Sequence, residues 1–138
     1  MSRQLATFTL DGHTLGIQVE QVQEVLRSQS RTRVPLAPPQ VAGLVNLRGQ
    51  VLTAVDLRVP LGLPQRTEGE PMVVVVQIAG EPVSLLVDTI GDVVEVDEQD
   101  FEPAPDTLLG AERELILGAY KLPGRLVLAL DADRAVGF

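Results

Sequence analysis

The chain has 138 residues, of which 45% are hydrophobic and only 3% aromatic, and its 11 basic and 19 acidic residues give a net charge of −8. This length fits one compact unit, or two very small ones with a shared core, and excludes a large multidomain protein. The acidic charge argues against nucleic acid or anionic lipid as a partner, and the absence of cysteine excludes disulfides and thiolate chemistry.

The first predicted element is a β-hairpin near the start of the chain. Apolar and polar residues alternate from Ala6 to Leu10 and again from Leu15 to Val19, which is the period of a half-buried strand. Asp11-Gly12 between them favours a two-residue type I′ turn, because Asp tolerates positive φ and Gly adopts it freely.

The next segment, Val19 to Leu26, places valines three residues apart with polar residues between them. That helical spacing predicts an apolar stripe. Such a stripe mostly serves the core. Part of it, or of the equivalent segment Val87 to Val94, could instead line an exposed groove suited to an amphipathic helix of a partner.

A second hairpin is predicted within Gly43 to Asp56, with its turn at Arg48-Gly49. A short helix is predicted to begin at Asp56, whose carboxylate can cap free backbone N–H groups, and to end at Gly62. Residues 64–71 have proline at both ends and no periodicity, which predicts a linker.

The second half of the chain repeats the first. An offset of 68 residues sets Phe8 to Val25 over Val76 to Val93, and an offset of 75 sets Gly43 to Asp56 over Gly118 to Asp131. Turn glycines and capping aspartates recur in the same order, which favours a duplication over a chance match between two aliphatic β segments. The offsets differ by seven residues, so we expect an insertion within Asp97 to Gly110.

These elements predict an all-β fold in which each half forms a small SH3-like barrel and the two pack side by side through their apolar faces. The chain 1–138 would then be a single domain. Its approximate subdomains would be 5–63 and 72–138, joined by the linker at 64–71.

The groups that most catalytic sites need are missing from the sequence. His13, the single histidine, follows the first turn, and there is no triad elbow, phosphate loop or dinucleotide motif. The acidic run from Asp97 to Glu102 lacks calcium-loop spacing and is interpreted as a solvated loop. We expect a non-enzyme without metal or cofactor. A cytoplasmic location is expected because no apolar run has the length of a signal or membrane-spanning segment.

Arg48 is the residue that most suggests a binding partner. Its counterpart in the second half is Pro123, so the turn itself does not require a cation. An arginine on a tight turn presents a preorganised fork to carboxylates. A solvated side chain, or an ion pair with an acidic residue of the same chain, is an equally open interpretation.

Several segments of the chain form a familiar combination, and the Asn-Leu-Arg-Gly block among them is fairly specific. These segments are Phe8-Thr9-Leu10, Val22-Gln23-Glu24-Val25, Val34-Pro35, Gly43 to Gly49, Val55-Asp56-Leu57, Leu86-Val87-Asp88, Asp92-Val93, Pro103-Ala104-Pro105 and Gly118. Through them the sequence closely resembles the CheW family of chemotaxis coupling proteins over nearly its whole length.

The resemblance implies two SH3-like five-stranded barrels with short helices. It also implies a non-catalytic adaptor that couples the cytoplasmic tip of a methyl-accepting chemoreceptor to the regulatory domain of a CheA-type histidine kinase, recruited to receptor arrays at the inner face of the membrane. By the same resemblance, the receptor contacts would be Val19, Val22, Glu24, Gly43, Arg48 and Val93. The kinase contacts would be Val51, Leu52, Asp106 and Thr107.

Two alternatives are compatible with the same residues. The chain could be a generic β interaction module of another signalling system. It could also be a CheW-like domain of a longer kinase or of a CheV-type protein, because the resemblance implies that the same domain occurs in both.

Overall fold

The computed structural model describes residues 2–27, 29, 31–65, 69–103 and 114–137. The strands are β1 (Ser2–Leu10), β2 (His13–Gln18), β3 (Val22–Leu26), β4 (Arg31–Thr32), β5 (Val41–Leu47), β6 (Gln50–Asp56), β7 (Met72–Ile78), β8 (Glu81–Val87), β9 (Thr89–Asp97), β10 (Phe101–Glu102), β11 (Ile116–Leu122) and β12 (Arg125–Leu130). Helix α1 spans Ala132–Val136, and single 3-10 turns span Val19–Gln21 and Glu98–Asp100. No helix in the described ranges is long and apolar enough to cross a bilayer.

The strands form two six-stranded sheets, which confirms the all-β fold. Sheet A has the order β10-β11-β12-β2-β1-β9, and sheet B has the order β3-β7-β8-β6-β5-β4. Each sheet has one strand more than the five expected, because the two-residue strands β4 and β10 pair at its edge. When the order of sheet B is reversed, each of its strands corresponds to the strand at the same position of sheet A. The correspondence follows the offsets found in the sequence, so that β4 matches β10 and β3 matches β9.

The two halves of the chain exchange their first hairpins. The β1–β2 hairpin pairs with β9 and β12 of the second half, and the β7–β8 hairpin pairs with β3 and β6 of the first half. Leu15 lies opposite Leu128 in sheet A. The residues at the corresponding offsets, Val83 and Thr53, lie opposite each other in sheet B. The subdomains 5–63 and 72–138 therefore divide the sequence into repeats but do not separate the two sheets.

The turn residues adopt the backbone conformations that their types favour. Asp11 and Gly12 have φ of 51° and 81°, which fits the predicted type I′ turn. After β12, an Asp131 side-chain oxygen accepts the Arg134 N–H at 3.2 Å, and helix α1 ends at Gly137 with φ of 67°. Asp131 and Gly137 therefore cap this helix as predicted.

The prediction of a helix that begins at Asp56 is wrong, because residues 57–62 form consecutive turns. The Asp56 carboxylate does accept the Arg58 N–H at 3.0 Å, as a cap would. Pro60 has no N–H to donate to the Asp56 carbonyl, which removes the first helical hydrogen bond. The bonds that follow are mixed: the Leu61 N–H donates to the Leu57 carbonyl at 3.2 Å, and the Gly62 N–H donates to the Val59 carbonyl at 3.1 Å.

The helical conformation suggested by the spacing of the valines from Val19 to Leu26 is also wrong. A single 3-10 turn is followed by strand β3, which pairs with β7, and a bulge separates Val22 from Glu24. The 3-10 turn and the bulge interrupt the two-residue alternation of a strand. The valines of this segment therefore recur every three residues, as they would in a helix. Pairing with β7 satisfies the backbone of this segment.

The seven extra residues of the second half do not form one block. Arg31 lies opposite Val45 and Phe101 lies opposite Tyr120, so β4 and β10 correspond at an offset of 70. The offset between corresponding strands is 68 up to β9, 70 at β10, and 75 from β11 onward. Two extra residues therefore precede β10 and five follow it, in a connection whose residues 104–113 lie outside the described part.

The apolar side chains form three clusters. The largest, the shared core, lies between the sheets and is filled by side chains such as Phe8, Ile17, Leu85 and Leu128. Core B is enclosed by sheet B and contains Val45, Leu47, Leu52, Ala54, Val73, Val75 and Leu86. Core A is enclosed by sheet A and contains Leu5, Val96, Tyr120, Val127 and Ala129. The shared core makes the two sheets one folding unit.

Replacing Ser84 by alanine is expected to raise the free energy of unfolding by about 1 kcal/mol. Ser84 is fully buried between Ala54 and Val75, and its hydroxyl has no hydrogen-bond partner among the described residues. Urea denaturation monitored by circular dichroism measures the change. Thr7→Val is the matched control, because the buried Thr7 hydroxyl donates to the Asp92 carbonyl at 2.6 Å. This control should lose stability, and a loss at Ser84→Ala would contradict the prediction.

Candidate partner-binding site

Arg48 is held at the tip of the β5–β6 hairpin. It has φ of 51° and Gly49 has φ of 86°, so the turn is of the type I′ class. The Asn46 side-chain oxygen accepts the Gly49 N–H at 3.0 Å and fixes the turn. Proline cannot adopt positive φ, so Pro123 at the equivalent position requires a different turn. The two halves therefore differ here in backbone as well as in charge.

The Arg48 guanidinium forms a two-pronged ion pair with the Glu24 carboxylate. Its Nη1 donates to Oε1 at 3.2 Å, and its Nη2 donates to Oε2. The hydrogen bond and the charge of Glu24 raise the pKa of Arg48 above its ordinary value. The structure thus selects the ion pair with an acidic residue of the same chain, which links the hairpin tip to strand β3. Arg48 remains mostly exposed and accessible to a partner.

The other residues proposed as receptor contacts lie in different environments. Val19, in the 3-10 turn, and Val22, the first residue of β3, are partly buried. Val93 lies on β9 in the other sheet and is 53% exposed. Its counterpart at offset 68 is Val25, an exposed valine next to Glu24 that sequence reasoning did not select. A comparison of the two repeats would have indicated it.

Gly43 is buried and cannot present a side chain to a partner. Its φ is 142°, and a Cβ atom at this position would lie 2.5 Å from the Thr32 carbonyl oxygen. The residue therefore permits close approach of β4 to β5, and the structure corrects its assignment as a contact.

The predicted kinase contacts are only partly at the surface. Val51 is 59% exposed at the start of β6, whereas the neighbouring Leu52 is 2% exposed and belongs to core B. Successive strand residues point to opposite faces, so these two side chains cannot share one surface, and Leu52 is corrected to a core residue. Asp106 and Thr107 lie outside the described residues.

The second half has its own version of the Arg48–Glu24 pair. Asp92 corresponds to Glu24 at offset 68, and Arg125 Nη1 lies 3.5 Å from its Oδ1. Arg125 is two residues beyond Pro123 and begins strand β12. Arg48 thus links the β5–β6 hairpin to β3, and Arg125 links the β11–β12 hairpin to the equivalent strand β9. The arginine occupies a different position in each hairpin.

A buried network around Arg58 was not predicted. Its side chain is 11% exposed and donates twice to the Asp88 carboxylate, at 2.7 and 3.3 Å, and once to the Pro64 carbonyl at 2.7 Å. The same carboxylate accepts the Asp11 N–H at 2.8 Å. The network joins the turns after β6, the β1–β2 turn, and the crossing from β8 to β9, so it links the sheets. The sequence contained one indication of a special role for Arg58. Its counterpart at offset 75 is Asp133, so the arginine is not part of what the two repeats share.

The acidic run lies at the surface as expected, but the prediction of a loop is wrong, because the run forms the end of β9, a 3-10 turn and β10. Two of its carboxylates form ion pairs. Arg3 Nη2 lies 3.2 Å from Glu98 Oε1, and Lys121 Nζ lies 3.1 Å from Glu102 Oε1. No group of three or more metal-ligating side chains occurs within the described ranges.

Comparison with known proteins fits this architecture. A family model described as the CheW-like domain matches residues 4–137. The chemotaxis protein CheW of Rhizobium meliloti is 31% identical over 135 residues, covering 95% of this chain and 85% of that protein. The chemotaxis protein CheW of Bacillus subtilis is 32% identical over 130 residues, covering 94% and 83%.

A solved structure has the same fold. The scaffolding protein TtCheW from Thermoanaerobacter tengcongensis matches with a TM-score of 0.88 at 24% identity, covering 100% of this chain and 94% of that one. Its two SH3-like β domains correspond to the two sheets described above. On the family match and the sequence relatives together, the chain belongs to the CheW-like domain family.

Proposed function

We propose that this protein is a non-catalytic adaptor that couples the cytoplasmic tip of a chemoreceptor to the regulatory domain of a CheA-type histidine kinase, at the inner face of the cytoplasmic membrane. Membership of the CheW-like family over residues 4–137 carries the proposal. The curated relatives are named chemotaxis proteins and the solved relative is named a scaffolding protein. These names favour this role over a generic β module.

The receptor surface that we propose is centred on the Arg48–Glu24 pair, with Val19, Val22 and Val93 as its apolar part. The exposed Val93 and the partly buried Val19 and Val22 together with a charged fork suit an amphipathic helix, which offers apolar residues on one face and carboxylates at its margin. The Arg48 guanidinium is preorganised by its turn and by Glu24, so little side-chain freedom is lost on binding. This arrangement supports helix recognition by residues of both halves of the chain.

The kinase surface must be separate from the receptor surface, since an adaptor has to bind both partners at once. Val51 is the described residue that supports such a surface, because it is apolar and 59% exposed without a role in the core. Coupling then requires only that the two partners are held in a fixed geometry. No group transfer or bond cleavage is involved.

Replacing Arg48 by glutamate is expected to weaken receptor-tip binding at least tenfold, about the loss produced by reversing a central charged contact. The new carboxylate repels Glu24 and removes the fork. Kinase binding should stay unchanged, because the kinase contact that we propose is the Val51 side chain and not the Arg48–Glu24 pair. Isothermal titration of the variant with each partner, and with both together, measures these effects.

Arg125→Glu is the matched control, since it reverses the cation of the equivalent pair with Asp92. It should weaken receptor binding less than Arg48→Glu does, because it touches the proposed surface only through Asp92, the neighbour of Val93. The double variant Glu24→Arg/Arg48→Glu restores the ion pair with its charges exchanged. Its receptor affinity shows whether binding requires the ion pair or requires the cation at position 48. Competition between receptor tip and kinase for the unaltered protein would contradict the adaptor model.

A further inference from the structure

Charge is distributed unevenly along this chain. Residues 25–55 contain four arginines and no acidic residue, a net charge of +4, so the remaining 107 residues carry −12. Arg48 is paired with Glu24. Arg27, Arg31 and Arg33 are exposed, and within the described ranges none of them lies within 4.0 Å of a carboxylate oxygen. The acidic protein thus has a locally basic segment, in which Arg33 lies beside Leu36 and Arg31 lines a cleft that also contains Asp56 and Asp88.

Leu36 lies on the loop that follows these arginines, and its side chain is fully exposed. Its φ is 64°, in the left-handed region that favours glycine or asparagine. The Ala37 N–H donates to the Val34 carbonyl at 3.4 Å, and Pro35 and Pro38 flank the turn. An exposed leucine in a strained conformation adds nothing to the core. Contact with a partner supplies a physical reason for it, since strained residues concentrate at binding sites.

This loop lies away from the proposed receptor surface. It ends where β5 begins at Val41, whereas Arg48 follows β5 at its other end, after Leu47. The segment before and in β10, the strand of sheet A that corresponds to β4, is acidic, with Glu98, Asp100 and Glu102, of which Glu98 and Glu102 pair with Arg3 and Lys121. The segments around β4 and β10 therefore differ in the sign of their charged residues, which allows a partner to distinguish one end of the pseudo-symmetric molecule from the other.

We propose that Arg31, Arg33 and Leu36 form a docking surface, the basic loop surface, for an acidic patch with an apolar pocket on the kinase regulatory domain. The inference rests on the proposed function, which requires a second surface that the receptor leaves free. Guanidinium forks match carboxylates in charge and geometry. A leucine on a proline-flanked loop is a preorganised apolar anchor, with little freedom to lose on binding.

The test is the Leu36→Asn variant, titrated separately with a purified kinase regulatory domain and with a receptor-tip fragment. Asparagine tolerates positive φ, so this variant should melt a few degrees above the unaltered protein. It should bind the kinase domain at least tenfold more weakly, the loss typical of a truncated anchor residue, and bind the receptor tip equally well. Arg33→Gln should reduce the salt dependence of kinase binding.

Leu117→Asn is the matched control, because it makes the same change at an exposed leucine of sheet A. Unchanged kinase binding by Leu36→Asn would overturn the inference and leave the adaptor function standing. Equal weakening by Leu117→Asn, or loss of receptor binding instead of kinase binding, would also overturn it. A lower melting temperature for Leu36→Asn would show that the leucine serves the fold. Failure of the unaltered protein to bind the kinase domain would overturn both the inference and the proposed function.

Discussion

Replacing Arg58 by methionine is expected to lower the free energy of unfolding by about 3 kcal/mol, the lower end of the range for breaking a buried ion pair. The Asp88 carboxylate, only 19% exposed, would lose both hydrogen bonds from the guanidinium. The Pro64 carbonyl would lose its donor as well. Urea denaturation followed by circular dichroism measures the change.

Arg125→Met is the matched control, because Arg125 also pairs with an aspartate but both side chains are more exposed. Its expected cost is below about 1 kcal/mol, as for surface ion pairs in general. Arg58→Lys keeps the charge but loses the fork, so its stability should lie between those of Arg58→Met and the unaltered protein. Equal stability of Arg58→Met and Arg125→Met would contradict the structural role assigned to the network.

The network should also determine how the two sheets are placed relative to one another. Arg58 follows β6 of sheet B, and Asp11 lies in the β1–β2 turn of sheet A, with Asp88 between them. The proposed receptor surface takes Glu24 from sheet B and Val93 from sheet A. A change in the angle between the sheets would therefore alter this surface without touching its residues.

Replacing Gly43 by alanine is expected to destabilise the fold by about 2–4 kcal/mol. The added Cβ would lie 2.5 Å from the Thr32 carbonyl oxygen and 3.1 Å from the Thr32 carbonyl carbon, and both are backbone atoms that cannot rotate away. The φ of 142° is itself unfavourable for alanine. Thermal and urea unfolding measure the loss, and faster hydrogen exchange in β5 would locate it.

Gly49→Ala separates the two causes. Gly49 also has positive φ, but nothing lies within 4 Å of a Cβ at that position. Its substitution should cost only about 1 kcal/mol, the conformational part of the effect. If Gly43→Ala were as stable as the unaltered protein yet failed to bind a receptor tip, Gly43 would be a contact after all and the structural explanation would be wrong.

Residues that are adjacent in sequence were predicted best, because their conformation depends on local chemistry. The alternation around Asp11-Gly12 predicted the first hairpin, and the cap residues Asp131 and Gly137 predicted helix α1. The same local reasoning failed at Val19 to Leu26, where a turn and a bulge imitate helical spacing. It also failed at Asp56, where Pro60 outweighs a suitable capping residue.

The candidate site was predicted less completely, because exposure depends on which face of a strand meets the core. Val51 and Leu52 are both apolar, and only the packing of β6 shows that the first is exposed and the second buried. The Arg48–Glu24 pair joins residues 24 positions apart, and sequence analysis left it as one of several interpretations. The Arg58 network was missed, because its members come together only after the sheets have packed.

The sequence by itself determined the repeat, its offsets, the turns and the family, because these depend on residue type and spacing alone. The tertiary structure decided how the repeats combine. A hairpin can pair within its own half or with the other half without any change in its local pattern. The structure shows that β1–β2 and β7–β8 are exchanged through the parallel pairs β2–β12 and β6–β8. Burial of the shared core between the sheets stabilises that arrangement, and no local signal in the chain encodes it.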